Sequence, residues 1–142
     1  GWGVAMAVLQ DERGGAGASG VISLRRRLED MIRNVDDINP LQIDGLIEIL
    51  NRGKALQTLM ERRGGDPRIA PIAKLMNSEL GYDEAQLDAS LHGAHSMLTS
   101  ASIQTLLYSP GMRIAGGSSE IQRNIIGERL LGLPREPQIT SD

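Results

Sequence analysis

The segment Ala115-Gly116-Gly117-Ser118-Ser119-Glu120-Ile121-Gln122-Arg123-Asn124 sets two glycines, then hydroxyls and amide donors, at the start of a helix. Unpaired N–H groups and the positive end of the helix dipole would favour a diphosphate there without any basic residue. A plain capped turn accounts for the same residues at least as well. Gly15-Ala16-Gly17-Ala18-Ser19-Gly20 has the G-x-G-x-x-G spacing of a dinucleotide-binding turn, with Asp36 about 20 residues further on. That turn works only between a strand and a helix, and neither flank has strand character, so close helix packing is the better reading. Asp88, His92 and His95, at i, i+4 and i+7, would put a carboxylate and two imidazoles on one helical face. Lacking a fourth ligand and an acid to orient the imidazoles, they predict no metal. Arg25-Arg26-Arg27 is followed by Glu29-Asp30, which reads as a solvated helix face with local ion pairs rather than a phosphate patch. No G-x-S-x-G elbow supports a serine triad, and the absence of cysteine excludes thiolate zinc sites, iron–sulfur clusters and a cysteine nucleophile.

These groups must be positioned by helices. Asn39-Pro40-Leu41-Gln42 is a start signal: Asn accepts from the first free amides, Pro suits the first helical position, and Gln reaches back as a capping box. Leu46, Ile47, Leu50, Leu56, Leu59 and Met60 then form an apolar stripe that stops at Gly64-Gly65. Asp66-Pro67 repeats the start, and Ile69, Ile72, Ala73, Leu75 and Met76 continue the period, with a break expected near Gly81 and resumption to about Met97 or Leu98. Val4, Val8 and Leu9, then Val21, Leu24, Leu28, Met31 and Ile32, suggest an earlier helix interrupted by glycines, each costing about 1 kcal/mol relative to Ala. Ser109-Pro110-Gly111 reads as a turn. Ser118 or Ser119 caps a last helix lined by Ile121, Ile125, Ile126 and Leu130, which ends at Gly132 and Pro134. No segment alternates with period two, so the expectation is an all-α four-helix bundle.

Composition agrees. With 15 basic and 18 acidic residues and a net charge of -3, no basic excess exists to hold nucleic acid. There is no Phe, one Trp and two Tyr, so the core is Leu, Ile, Val, Met and Ala, and stacking platforms for bases are lacking. No apolar run approaches the roughly 20 residues of a membrane span, and the N-terminus lacks the shape of a signal peptide. A soluble, cytoplasmic protein is expected. The chain opens Gly1-Trp2-Gly3 without an initiator Met, which suggests a fragment of something longer.

The run Gly116-Gly117-Ser118-Ser119-Glu120-Ile121-Gln122-Arg123-Asn124-Ile125-Ile126-Gly127-Glu128-Arg129-Leu130-Leu131-Gly132-Leu133-Pro134-Arg135-Glu136 closely resembles the C-terminal signature of flavin-dependent acyl-CoA dehydrogenases. Gly1-Trp2-Gly3-Val4-Ala5-Met6-Ala7-Val8-Leu9-Gln10-Asp11-Glu12-Arg13-Gly14-Gly15 resembles the start of that family's C-terminal helical domain, and Ala73-Lys74-Leu75 through Glu79-Leu80 fits between them. The resemblance spans nearly the whole chain. It implies that residues 1–142 are the C-terminal helical bundle domain of an enzyme whose N-terminal helical and middle β-domains are absent. It also implies an FAD cofactor, an acyl-CoA substrate, electron-transferring flavoprotein as partner, and a homo-oligomer or a hetero-oligomer with a related subunit.

In such enzymes a carboxylate removes the α-proton of the thioester while flavin N5 accepts a hydride from the β-carbon, giving a trans-2-enoyl-CoA. The base needs a dry pocket that raises its pKa toward that of the acidified α-proton. Many members carry that Glu just before the signature loop, where this sequence has Gly116. A minority branch places it on the first helix of the domain, at the position of Glu12, and the resemblance therefore nominates Glu12 as catalytic base; the alternative is a surface Glu paired to nearby charge. By the same resemblance Arg13 and Gly117 meet the acyl-CoA, while Ser118, Glu120 and Gly93 meet the flavin cofactor. Glu120 replaces a Gln of some relatives, and a carboxylate suits phosphate less well. Arg33-Asn34-Val35-Asp36-Asp37-Ile38-Asn39-Pro40 does not reproduce an Arg-x-x-Phe-Gly element whose Arg reaches the FAD of a neighbouring subunit, and His92-Gly93-Ala94-His95-Ser96 keeps one glycine of a Gly-rich element. Against the dehydrogenase stands a purely structural or assembly subunit whose flavin site has decayed.

Overall fold

The computed structural model describes residues 4, 24–33, 35–63, 66–98 and 100–135. The expectations placed on the glycines of the opening segment, on Glu12 and on Arg13 lie outside the described residues. Helix α1 covers residues 24–32. Helix α2 is Pro40–Arg63, α3 Ala70–His92, α4 Ala101–Ile114 and α5 Ser119–Ile125. Single turns of 3-10 helix flank α3 at Pro67–Ile69 and Gly93–Met97, and α5 runs on as a π-type turn, Ile126–Leu130. Among the described residues there are no strands, and the all-α helical architecture expected from periodicity is the one that forms.

The local start signals act as chemistry predicts. Asn39 N–H donates to Gln42 Oε1 and Gln42 N–H to Asn39 Oδ1, both at 3.0 Å, a reciprocal box that opens α2. Asp66 Oδ1 accepts from Arg68 N–H at 2.9 Å and starts the turn that leads into α3. Two expectations are corrected. Helix α3 passes unbroken through Gly81 and ends at His92 rather than near Met97. Its packing against α2, α4 and α5 outweighs the modest cost of one glycine. Ser109-Pro110-Gly111 is not a turn but lies within α4. Pro110 cannot donate to the carbonyl of Leu106, and Ser109 Oγ donates to that same carbonyl at 2.8 Å, so the acceptor is not left orphaned.

Leu24 and Leu28 of α1, Ile49 of α2 and Leu80 of α3 form the buried core, with Met31, Leu46 and Leu87 packed around it. Gly53 permits the close approach of α1 and α2, since a Cβ there would sit 2.0 Å from Leu24 Cδ2. Helix α3 is the central element, and this explains its weak amphipathicity: neighbours cover several of its faces. It buries Lys74, Ser78, Glu84 and Asp88, each with a polar partner. Three neighbours send an arginine to an α3 acid: Arg27 of α1 to Glu84, Arg52 of α2 to Asp83, and Arg123 of α5 to Glu79. The Arg25–Glu29 pair is the local, exposed kind expected for the arginine run, but Arg27 reaches across to α3 instead.

Candidate functional site

The segment that carried the phosphate and capped-turn readings joins α4 to α5. Gly116 and Gly117 adopt φ +67 and +103, which an L side chain resists, so the reversal uses both glycines. Gly117 N–H donates to the Ile114 carbonyl at 3.1 Å. Ser118 then caps α5: its Oγ accepts from Ile121 N–H at 3.4 Å and its carbonyl from Gln122 N–H at 2.9 Å. Two buried side chains hold the turn from within. Lys74 Nζ donates to the carbonyls of Arg113 at 3.1 Å and Gly117 at 2.6 Å. Gln122, fully buried, donates through Nε2 to the carbonyls of Gly116 at 3.0 Å and Gly117 at 3.4 Å.

Cations surround this corner. The Arg113 guanidinium lies 4.8 Å from the centroid of the Tyr82 ring, and Arg123 pairs with Glu79 and faces Glu120 at 3.9 Å. The exposed Glu120 carboxyl is held below the ordinary carboxylate range, first by its own backbone N–H, then by the Ser118 hydroxyl, with Arg123 and Arg113 adding to the effect. The same N–H and hydroxyl are groups a phosphate oxygen would use. Arg113 Nε, Ser119 Oγ and Gln122 Oε1 are buried without hydrogen-bond partners among the described residues.

The structure brings Gly117, Ser118 and Glu120 together at this turn. Gly93 sits at the other end of α3 from Lys74, about 28 Å along the helix axis at 1.5 Å per residue, and takes φ +52 as it terminates α3. Within one chain, Gly93 and Ser118 are not parts of one phosphate site. Asp88 and His92 are neighbours, with His92 Nδ1 at 2.9 Å from the Asp88 carbonyl oxygen and 3.3 Å from Oδ1. His95 lies beyond the helix end on the exposed 3-10 turn, so the three-residue face expected from spacing is not continuous. Among the described residues no three His, Asp or Glu side chains are placed to share a metal ion.

Sequence reasoning missed Lys74, Gln122 and Arg113. A signal for Lys74 was present: it stands within Ile72-Ala73-Lys74-Leu75-Met76, at i+3 from the buried Pro71 and i−4 from the buried Ser78. A cleft of about 680 Å³ between α1, α3 and α4 was also unforeseen. It is lined by the Arg27–Glu84 and Asp88–His92 pairs, Tyr108 and Met112 among others, and by none of Gly93, Gly117, Ser118 and Glu120. No helix among the described residues is long and apolar enough to cross a membrane.

Residues 52–131 match a protein family described as acyl-CoA dehydrogenase, C-terminal domain. The chain is 31% identical to acyl-CoA dehydrogenase IpdE1 of Mycobacterium tuberculosis over 150 residues, which cover 96% of this chain and 39% of that protein. It is also 31% identical to acyl-CoA dehydrogenase IpdE1 of Mycolicibacterium smegmatis over 151 residues, covering 96% and 38%. The chain thus spans about two fifths of the length of these curated relatives. No solved structure gives a significant match.

Proposed function

Because the chain belongs to the acyl-CoA dehydrogenase family, as a C-terminal domain, we propose that it is part of an FAD-dependent enzyme that converts an acyl-CoA thioester into the trans-2-enoyl-CoA. On this reading residues 1–142 form the helical bundle that follows an N-terminal helical domain and a middle β-domain in a longer, cytoplasmic protein. The bundle contributes part of the FAD site and the oligomer interface, in a homo-oligomer or with a related subunit. Electrons leave to an electron-transferring flavoprotein.

The observation that supports this most directly is the double-glycine turn within the matched region, with its carbonyls drawn inward onto Lys74 and Gln122. Such a turn suits FAD: the backbone at Gly117 carries no side chain, and Ser118 offers an N–H and a hydroxyl. FAD, when bound, supplies the acceptor for the hydride that leaves the β-carbon. Glu12 accepts the α-proton on its carboxylate, so that the α and β C–H bonds break and the C=C bond forms with charge balanced. Arg13 and Gly117 hold the acyl-CoA, and Ser118 and Glu120 the cofactor's polar groups. The Glu120 side chain is 75% exposed and free to rotate away from the Ser118 hydroxyl when phosphate arrives. Gly93, at the far end of α3, meets the cofactor of a neighbouring copy.

One observation favours the assembly-subunit reading instead: the Glu120 carboxyl is drawn to its own backbone N–H and to the Ser118 hydroxyl, groups an external anion would otherwise use. The full-length protein decides between the two. Purification as a yellow protein whose flavin absorbance is bleached by acyl-CoA, with bleaching lost in Glu12→Gln, supports the dehydrogenase. A colourless protein that takes up no added FAD refutes it and leaves the assembly role. Unchanged bleaching in Glu12→Gln removes Glu12 as the base.

A further inference from the structure

A buried ammonium is costly unless its donors are satisfied, and Lys74 is only 8% exposed. The ammonium donates to backbone carbonyls, those of Arg113 and Gly117 among its partners. The first belongs to the last turn of α4, where carbonyls lack intrahelical partners and the helix dipole favours a cation. The second lies one residue before the cap of α5. The ammonium therefore spans the turn from the end of one helix to the start of the next.

The turn needs such an outside hold. With both Gly116 and Gly117 at positive φ, its own chain has little steric preference for this shape over others. Peptide planarity converts the hold into a direction. The Gly117–Ser118 peptide is trans, so with the Gly117 carbonyl drawn to Lys74 the Ser118 N–H points the opposite way. We infer that Lys74 is a positioning residue: its ammonium, fixed on the Arg113 and Gly117 carbonyls, locks the glycine turn and aims the Ser118 N–H away from the bundle, where an anionic group of the cofactor is to be held. Gln122 reinforces the lock from α5 through the carbonyls of Gly116 and Gly117. The aim toward a cofactor rests on the dehydrogenase reading; the lock itself does not.

The test uses the full-length protein and three forms, wild type, Lys74→Met and Lys74→Arg. Amide hydrogen exchange is measured by mass spectrometry on the apoprotein, and FAD dissociation constants are measured by equilibrium titration. Losing a charged donor to two carbonyls is expected to speed exchange in residues 113–122 by about tenfold or more in Lys74→Met, with α2 unchanged. The FAD dissociation constant rises by a similar factor, and Lys74→Arg restores most of both. Unchanged exchange in residues 113–122, or acceleration spread equally over α2, overturns the inference, because a merely structural lysine would loosen the whole bundle or nothing. If the wild type binds no FAD, the dehydrogenase reading falls while the exchange data still decide the lock. If Lys74→Met does not fold, reductive methylation of the native wild type decides. Lys74 resists labelling under conditions that modify the exposed Lys54, whereas equal labelling of the two overturns the inference.

Discussion

Arg27→Met is the sharpest probe of how the bundle is held. Arg27 meets the Glu84 carboxylate through both Nε and Nη2, the latter at 2.8 Å. The Glu84 side chain is 8% exposed and that of Arg27 45%. Removing one partner of a fully buried pair costs roughly 3–5 kcal/mol, because the other charge is stranded. Here nearly half of Arg27 faces solvent and the pair borders the cleft, so water reaches the vacated position. The expected loss is therefore about 2 kcal/mol, in the range for a hydrogen bond to a charged group. For a chain of this length that corresponds to a fall in Tm of roughly 7 °C. Arg25→Met, one turn from its own exposed partner, is the control, with an expected change within about 0.5 kcal/mol. Arg27→Met/Glu84→Leu removes both charges and is expected to recover to within about 1 kcal/mol of the wild type. Urea denaturation followed by far-UV circular dichroism reads all four. A loss in Arg27→Met no larger than in Arg25→Met, or a double variant no more stable than Arg27→Met, refutes the claim that Glu84 depends on Arg27.

Two further outcomes test the turn. Gly117→Ala forces an L side chain to φ +103, a strain of roughly 1–3 kcal/mol, and is expected to lower stability in denaturation; an unaltered midpoint would show that the turn relaxes freely. The Glu120 carboxyl, held low by its own N–H and by the Ser118 hydroxyl, contributes stability that is present above its ordinary value of 4.5 and is lost as pH falls through its lower folded value. In Ser118→Ala, carbon-detected NMR should find the Glu120 titration moved upward toward that ordinary value, and an unmoved titration would remove the hydroxyl as a cause.

What the sequence disclosed was local. The Asn39 box and the Asp66 start are legible because donor and acceptor lie within three residues, so composition at fixed spacing dictates the geometry. The Ser118 cap is legible for the same reason. The Ser109-Pro110-Gly111 triplet has the composition of a turn yet stays helical, because a neighbouring hydroxyl supplies the hydrogen bond that proline withholds. Gly81 misled because propensity was weighed without the three helices packed on α3. The Asp88, His92 and His95 spacing described a face of a helix that ends before its third member. For Glu12 and Arg13 the family resemblance alone speaks.

The partners in the long-range ion pairs were illegible for a physical reason. Arg27 finds Glu84 across 57 residues, Arg52 finds Asp83 across 31, and Arg123 finds Glu79 across 44. Periodicity predicts that a helix has an apolar stripe, but it does not say which neighbour will cover a carboxylate or an ammonium beside that stripe. On α3 those polar positions are divided among neighbours: Lys74 serves the α4–α5 turn, Glu79 α5, Asp83 α2 and Glu84 α1. A quarter-turn of α3 about its axis would leave each of these charges facing the wrong element, and for the buried Lys74 and Glu84 the loss of a partner is what a folded interior tolerates least. The rotation of α3 is thus set by matched groups on the faces it turns to α1, α2, α5 and the α4–α5 turn. The shape of the glycine turn follows from that rotation, since the ammonium that grips its carbonyls projects from the same helix.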